Sequence, residues 1–96
     1  MKIRVRGFMT VRQLLGGRDS LTLELQEATI VTLLGELASL FGASFEEMFF
    51  EPEYGMVSRQ VAILVNGRHY SHLPNGLNTK LKDGDDVALF PPIAGG

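Results

Sequence analysis

The sequence predicts an α+β domain in which a mixed sheet of four or five strands packs on one main helix. Three features lead to that prediction. Residues 1–25 contain two segments in which apolar and polar side chains alternate, as in half-buried strands. The following segment has the apolar spacing of an amphipathic helix. The remainder holds short apolar runs separated by glycine- and proline-containing turns, a pattern typical of further strands.

Composition limits the classes of function. The chain has 96 residues, 45% of them hydrophobic, and residues 1–96 are predicted to form a single domain. A net charge of −2 argues against a nucleic-acid partner, because such proteins usually carry a basic face. The N-terminus lacks the apolar run of a signal peptide, and no stretch approaches the roughly 18 apolar residues of a membrane span. We therefore expect a cytoplasmic protein with no membrane partner. The absence of cysteine excludes a disulfide framework and a thiolate nucleophile.

The first two elements are predicted strands. "KIRVRGFM" places Ile3 and Val5 on one side and the basic residues on the other. "LTLEL", residues 21–25, alternates in the same way. The segment between them contains Gly16-Gly17 and is interpreted as a turn, so the two strands are expected to form a hairpin.

The main helix is predicted to begin after Thr29, which can cap its N-terminus, and to end at Gly42. Ser44 is expected to cap a second, short helix that ends before Pro52 and Gly55. The apolar positions of the main helix are Ile30, Leu33, Leu34, Leu37, Ala38 and Phe41.

The second half predicts further strands. "QVAILV" is an apolar, β-branched run of the kind found in central strands. Asn66-Gly67 is a strong hairpin signal, and "RHYSHL" follows as a short return strand. "DGDD" is a turn before the last strand, Val87 to Phe90. The first hairpin must then reach the third strand through the helix, in a right-handed crossover. This is the β-grasp arrangement of ubiquitin-like proteins.

No catalytic constellation emerges from the titratable residues. His69 and His72 are three residues apart, so on a strand they would point to opposite faces. The carboxylates of Glu46-Glu47 and of the DGDD turn are interpreted as solvated. We therefore expect a protein that is not an enzyme by itself.

A stripe of large apolar residues follows the main helix. We interpret most of it as core, with an exposed patch that docks a partner as the alternative. Its members are Phe45, Met48, Phe49, Phe50, Tyr54 and Met56.

The last six residues, "PPIAGG", predict a functional tail. Pro91 and Pro92 stop the strand and favour an extended chain, which six residues can carry over roughly 20 Å. Gly95 and Gly96 are expected to be flexible and, having no β-carbon, can enter a narrow channel. The alternative is a frayed terminus without function.

The only reactive group at such a tip is the α-carboxylate of Gly96. A carboxylate must be activated before it reacts, usually as an acyl-adenylate made from ATP by a separate enzyme. Sulfur can then attack to give a thiocarboxylate, or a lysine amine can attack to give an isopeptide bond. A thiocarboxylate requires no cysteine on the carrier, in agreement with the composition.

The chain resembles the MoaD/ThiS family of ubiquitin-like sulfur carriers, most closely the small subunit of molybdopterin synthase. The strongest match is "LKDGDDVALFPPIAGG", Leu81 to Gly96. Gly7-Phe8-Met9 leading into "TVRQLLGG", the helix after Thr29 and the "LVNG" hairpin support it. The segment 43–60 departs from the family's pattern.

The resemblance implies that Gly96 is adenylated by an E1-like, MoeB-like enzyme that uses ATP, and then becomes a thiocarboxylate. The tail would insert into a MoaE-like large subunit that builds the dithiolene of molybdopterin. No bound cofactor or metal is implied. Phe8, Phe90 and Arg12 match partner-contacting positions, and His69 stands where an apolar contact is expected. The implied tail residues are Pro91, Pro92, Ile93, Ala94 and Gly95.

Other functions stay open at this level. A ubiquitin-like modifier joined to lysines would carry the same tail, as would a sulfur carrier for a tungsten cofactor, thiamine or tRNA thiolation. A binding module with an incidental tail is a third possibility.

Overall fold

A computed structural model describes residues 1–53 and 55–92 of the chain. In chain order the helices and strands are β1 (Lys2–Gly7), α1 (Thr10–Leu14), β2 (Ser20–Glu24), α2 (Ile30–Phe41), α3 (Ala43–Phe49), β3 (Ala62–Val65), β4 (Arg68–His69) and β5 (Asp86–Phe90). Two 3-10 turns, Tyr70–His72 and Gly76–Asn78, lie between β4 and β5.

The strands form one five-stranded sheet in the order β2-β1-β5-β3-β4. β1 and β5 are parallel, and the other neighbouring pairs are antiparallel. This mixed sheet confirms the predicted fold class. The "QVAILV" segment forms β3, an interior strand between β5 and β4, as predicted, and β5 occupies the middle of the sheet. In β5 the three consecutive residues Val87, Ala88 and Leu89 are all buried, which explains its central place.

The core lies between the sheet and α2. Alternate residues of the strands point towards the helix, and all of those in the three inner strands are buried. The opposite face of the sheet, away from α2, is called the outer sheet face below. The residues that meet in the core are Ile3, Val5, Ile63, Val65, Val87 and Leu89 from the sheet and Ile30, Leu33, Leu34 and Leu37 from α2.

The predicted ends of α2 are confirmed. The Thr29 hydroxyl accepts a hydrogen bond from the Thr32 backbone N–H at 3.2 Å, and the Thr32 hydroxyl accepts one from the Thr29 N–H at 2.7 Å. This reciprocal pair satisfies two backbone donors at the helix N-terminus. Gly42 ends the helix with a φ of 90°, a conformation that favours glycine.

The predicted cap of the second helix is wrong. α3 begins at Ala43 directly after Gly42, so Ser44 lies inside the first turn and no side chain caps the helix. The core interpretation is confirmed for Phe45 and Phe49, whose buried rings stack with centroids 4.5 Å apart.

The rest of the apolar stripe is more accessible. Met48 and Phe50 are partly buried, and Met56 is 60% exposed. Tyr54 lies outside the described residues.

The connection between β1 and β2 differs from the simple turn that the sequence predicted. It contains α1, whose residue Val11 is buried together with Leu15, four residues later. Gly7 is required beneath this helix, because a β-carbon there would lie 2.7 Å from Cδ1 of Leu15. Because α1 occupies residues 10–14, Gly16-Gly17 follows a short helix and does not form the whole connection by itself.

The Asn66-Gly67 hairpin is confirmed. Both residues have positive φ, 52° and 84°, as a tight two-residue hairpin requires. The Asn66 amide also donates to Oδ1 of Asp85 at 2.9 Å and accepts from the Asp86 backbone N–H at 3.0 Å. The turn is thereby fixed to the start of β5. The return strand is shorter than predicted, since β4 gives way to a 3-10 turn at Tyr70.

None of the helices in the described ranges is both long and apolar enough to cross a membrane.

Candidate functional site

The parallel pairing of β1 and β5 brings two distant phenylalanines together. Gly7 is paired with Leu89, and the Phe8 backbone N–H donates to the Leu89 carbonyl at 3.0 Å, which extends the pairing by one residue. Phe8 and Phe90 therefore lie side by side. Their rings stack with centroids 4.4 Å apart and an angle of 9° between the planes, and both side chains are half-buried.

This aromatic stack lies on the outer sheet face. Phe90 is paired with Ala62 on β3, and its neighbour two residues earlier, Ala88, is paired with Leu64. Since alternate strand residues share a face, these apolar side chains lie on one side of the sheet, opposite α2. The result is a shallow apolar surface at the end of the sheet where β5 finishes. The partly exposed members of this surface are Phe8, Ala62, Leu64 and Phe90, while Ala88 is buried.

Arg6 fixes one edge of the stack. Its guanidinium contacts the Asp86 carboxylate twice, with Nη2–Oδ2 at 2.7 Å and Nε–Oδ1 at 3.0 Å. The guanidinium carbon lies 5.3 Å from the centroid of the Phe8 ring, a cation–π distance. Two hydrogen bonds hold the planar group in one orientation, so the Phe8 ring contacts both an oriented cation and the Phe90 ring. Sequence reasoning missed Arg6, although it shares a strand face with Phe8.

Arg12 lies on α1, close to the same corner, with its backbone N–H donating to the Met9 carbonyl at 3.2 Å. Its side chain pairs with Asp19 at 2.9 Å, and both side chains are largely exposed. Such an exposed pair contributes at most about 1 kcal/mol to stability. Arg12 is therefore accessible to a partner, as its predicted function requires.

His69 lies at the far edge of the sheet, opposite Leu64. Its Nδ1 accepts a hydrogen bond from the Ser71 backbone N–H at 3.1 Å, and its ring stacks on Tyr70 with centroids 4.5 Å apart. Because Nδ1 is an acceptor, the neutral ring carries its proton on Nε2. By strand register His69 lies in the same row as Arg6, Ala88 and Leu64, and β3 separates it from β5, the strand that carries Phe90.

The predicted tail begins next to the stack. Phe90 is the last residue of β5, so the chain leaves the sheet directly after it. Of the two prolines that follow, Pro91 is buried and Pro92 is exposed. Ile93, Ala94, Gly95 and Gly96 lie outside the described residues, and their predicted functions stay predictions.

The acidic turn before β5 is structural in its contacts. The Lys2 backbone N–H donates to Oδ1 of Asp83 at 2.6 Å, and the Lys82 N–H donates to Oδ2 of Asp85 at 2.8 Å. These carboxylates satisfy backbone donors at the start of the β1–β5 pair. Across residues 1–53 and 55–92, no three histidine or acidic side chains are close enough together to hold a metal ion.

A second surface lies between α2 and α3, within the segment that departs from the family's pattern. It is a groove of about 660 Å³ with Ala38 and Phe50 among its apolar lining residues. Glu46, Glu47 and Glu51 add carboxylates to its lining. An adjoining pocket shares Glu47, Phe50, Glu51 and Pro52 with this groove and is also lined by Pro92, so the groove extends towards the start of the tail.

A model of the ThiS family matches residues 5–96 of the chain. Small archaeal modifier protein 3 of Haloferax volcanii is 34% identical over 96 residues, which cover 100% of both chains.

Solved structures give the same picture. The HVO 2177 protein of Haloferax volcanii superposes with a TM-score of 0.83 at 35% identity, covering 100% of this chain and 87% of the other. A Pyrococcus furiosus protein assigned as molybdopterin converting factor subunit 1 superposes with a TM-score of 0.73 at 33% identity, covering 97% of this chain and 99% of the other. These likenesses confirm the β-grasp fold.

Proposed function

Because this chain belongs to the ThiS family of ubiquitin-like sulfur carriers, we propose that Gly96 is its reactive residue, adenylated by a partner enzyme and converted to a thiocarboxylate. Proteins of this family are small carriers rather than catalysts, and they work with E1-like activating enzymes and other proteins. The proposal concerns the chemistry at the end of the tail and the surface beside it.

The observation that carries the proposal is the position of the Phe8–Phe90 stack. An enzyme that receives Gly96 must contact the protein where the tail leaves the sheet, and the chain leaves it directly after Phe90. At that point the outer sheet face offers a stacked aromatic pair in contact with the Arg6 guanidinium. Aromatic residues, phenylalanine among them, are enriched in protein interfaces. The family match also extends to residue 96 and so includes both terminal glycines.

The reaction has two balanced steps. An oxygen of the Gly96 carboxylate attacks the α-phosphorus of ATP in the activating enzyme, and pyrophosphate leaves. Hydrosulfide supplied by a partner then attacks the carbonyl carbon and loses its proton, and AMP leaves with its bonding electrons, so that a thiocarboxylate remains. The protein itself contributes the docking surface and the reach of the tail.

We propose the molybdopterin pathway as the destination of the sulfur, with a MoaE-like large subunit as the second partner. The likeness to the Pyrococcus furiosus protein assigned as molybdopterin converting factor subunit 1 supports this destination. The second candidate is a ubiquitin-like modifier joined to lysines. It is favoured by the full-length likeness to small archaeal modifier protein 3.

Intact-mass spectrometry of the protein after incubation with its activating enzyme, ATP and a sulfur donor tests the shared step. We expect a mass increase equal to sulfur replacing one oxygen, and no increase in a variant that lacks Gly96. A wild-type protein that is never adenylated would refute both candidates.

The two candidates differ in the next step. A sulfur carrier for molybdopterin transfers its sulfur to a pterin precursor on a MoaE-like subunit and regains its original mass. A modifier is recovered in covalent conjugates that survive denaturation and reduction.

A further inference from the structure

Met9 has a backbone conformation that a residue with a β-carbon rarely adopts. Its φ is 56° and its ψ is −127°. In the described ranges Asn66 is the only other non-glycine residue with positive φ, and it serves the hairpin turn that favours asparagine. Methionine has no side-chain group that stabilises this conformation locally, so the position is strained.

The strain has a clear structural cause. The Phe8 N–H is held by the Leu89 carbonyl, which keeps the chain in line with β5 as far as Phe8. The Val11 N–H already donates to the Phe8 carbonyl at 3.0 Å, which starts α1. The chain therefore turns from strand to helix within a single residue. Glycine would adopt that turn without strain.

The side chain gains little from this position by burial. Met9 is 69% exposed, more than the other exposed large apolar residues, Met56 at 60% and Leu40 at 55%. Folding therefore holds an apolar side chain in water at a strained site, where a glycine would suit the backbone better. Met9 follows Phe8 directly, at the corner of the surface from which the tail leaves. Strained residues of this kind cluster at binding sites.

We propose that Met9 is a specificity-determining contact residue for the activating enzyme, inserting its side chain into an apolar recess of that enzyme beside the Phe8–Phe90 stack. The inference rests on the proposed function, because it assumes that an adenylating enzyme docks at this surface. An unbranched thioether side chain adapts to the shape of such a recess more easily than a branched one. Met9 acts on docking and not on the chemical step, since the reacting carboxylate lies at the other end of the tail.

The test separates backbone strain from side-chain contact with two substitutions. Met9→Gly removes the strain and the side chain together, and Met9→Ala removes only the side chain. Met56→Ala removes a similarly exposed methionine from the α3 side of the molecule and serves as the matched control. The readouts are thermal unfolding and ATP–pyrophosphate exchange, measured with the purified adenylating enzyme of the same organism at varied concentrations of this protein.

We expect both Met9 variants to raise KM about tenfold with kcat unchanged, as for the loss of an apolar interface contact. Met9→Gly should unfold at a temperature no lower than the wild type, while Met56→Ala should leave KM unchanged. A wild-type KM in both Met9 variants, or an equal rise in Met56→Ala, would overturn the inference while leaving the proposed function standing. Absence of exchange with the wild-type protein would overturn the proposed function and this inference with it.

Discussion

Phe90 belongs both to the central strand of the fold and to the proposed docking surface. It is the last residue of β5, it stacks on Phe8, and the tail follows it. We predict that Phe90→Ala raises KM for adenylation about 30-fold, because truncating an aromatic anchor at an interface costs roughly 2 kcal/mol or more. The measurement is ATP–pyrophosphate exchange at varied carrier concentration, with circular dichroism to verify folding.

Phe41→Ala is the matched control for that substitution. Phe41 is also a half-buried phenylalanine, but it is the last residue of α2 and packs against the core. We expect its KM to equal that of the wild type. The docking assignment would be wrong if the two variants behaved alike or if Phe90→Ala bound the enzyme normally.

The guanidinium geometry of Arg6 leads to a second prediction. Arg6→Lys keeps the positive charge but cannot contact Asp86 through two parallel hydrogen bonds. The cation is then no longer held over the Phe8 ring, and such a contact is worth about 0.5–1 kcal/mol at an exposed site. We expect KM to rise about two- to fivefold, with a change of less than about 1 kcal/mol in the free energy of unfolding.

Arg4→Lys provides the comparison for that small effect. Arg4 is two residues earlier on the same strand face, and its side chain forms no ion pair with any residue in the described ranges. Its substitution should leave KM unchanged. An identical shift in both variants would indicate that net charge or lysine itself, and not the held orientation of Arg6, is responsible.

Sequence reasoning reached some of these residues and missed others. Phe8 and Phe90 were assigned through the family resemblance, and the structure brings them into contact. The contact between Arg6 and Asp86 was not predicted, because the two residues are separated by 80 positions in the sequence. Such pairs depend on strand register, which a local pattern does not contain.

Among the elements, α2 has a cap whose contribution can be isolated. Thr29→Ala removes the acceptor of the Thr32 backbone N–H, while the Thr32 hydroxyl can still bond the N–H of residue 29. We predict a loss of about 1 kcal/mol in the free energy of unfolding, measured by urea denaturation, with KM for adenylation unchanged. Ser39→Ala, an exposed change within the same helix, should cost nothing measurable. A rise in KM for Thr29→Ala would mean that α2 also affects the docking surface.

Elements with local signals were predicted well. Thr29, Gly42 and Asn66-Gly67 act on their immediate neighbours, and each terminates or turns the chain as expected. The simple turn predicted between β1 and β2 was wrong, because α1 is too short to show a helical period, since only Val11 and Leu15 mark its buried side. The place of β5 between β1 and β3 was not predicted, because it depends on pairing with β1 at the other end of the chain.

For the whole molecule, the length of the tail sets where the reactive carbon arrives. One glycine added after Gly96 moves that carbon by up to about 3.6 Å, and misplacements of about 1 Å can cost on the order of a hundredfold in rate. We predict that this variant is adenylated at least about a hundredfold more slowly than the wild type. None of the core contacts described above involves the added residue, so the unfolding temperature should not change.

Intact mass must show that the extended variant has not been trimmed. If it then forms the thiocarboxylate at the wild-type rate, the Gly96 carrier proposal is refuted. Phe90→Ala and the extended variant also fail differently, the first mainly in KM and the second in kcat, because one affects docking and the other the position of the reacting carbon.

The pairing of the first strand with the last has a consequence for when the protein becomes a substrate. Phe8 leaves the ribosome long before Phe90, and their rings meet only after β5 has entered the sheet between β1 and β3. A nascent, truncated or misfolded chain therefore has no aromatic stack to offer, even where its glycines are present. An activating enzyme that recognises the stack would spend ATP only on finished, correctly folded carriers, so recognition would double as quality control.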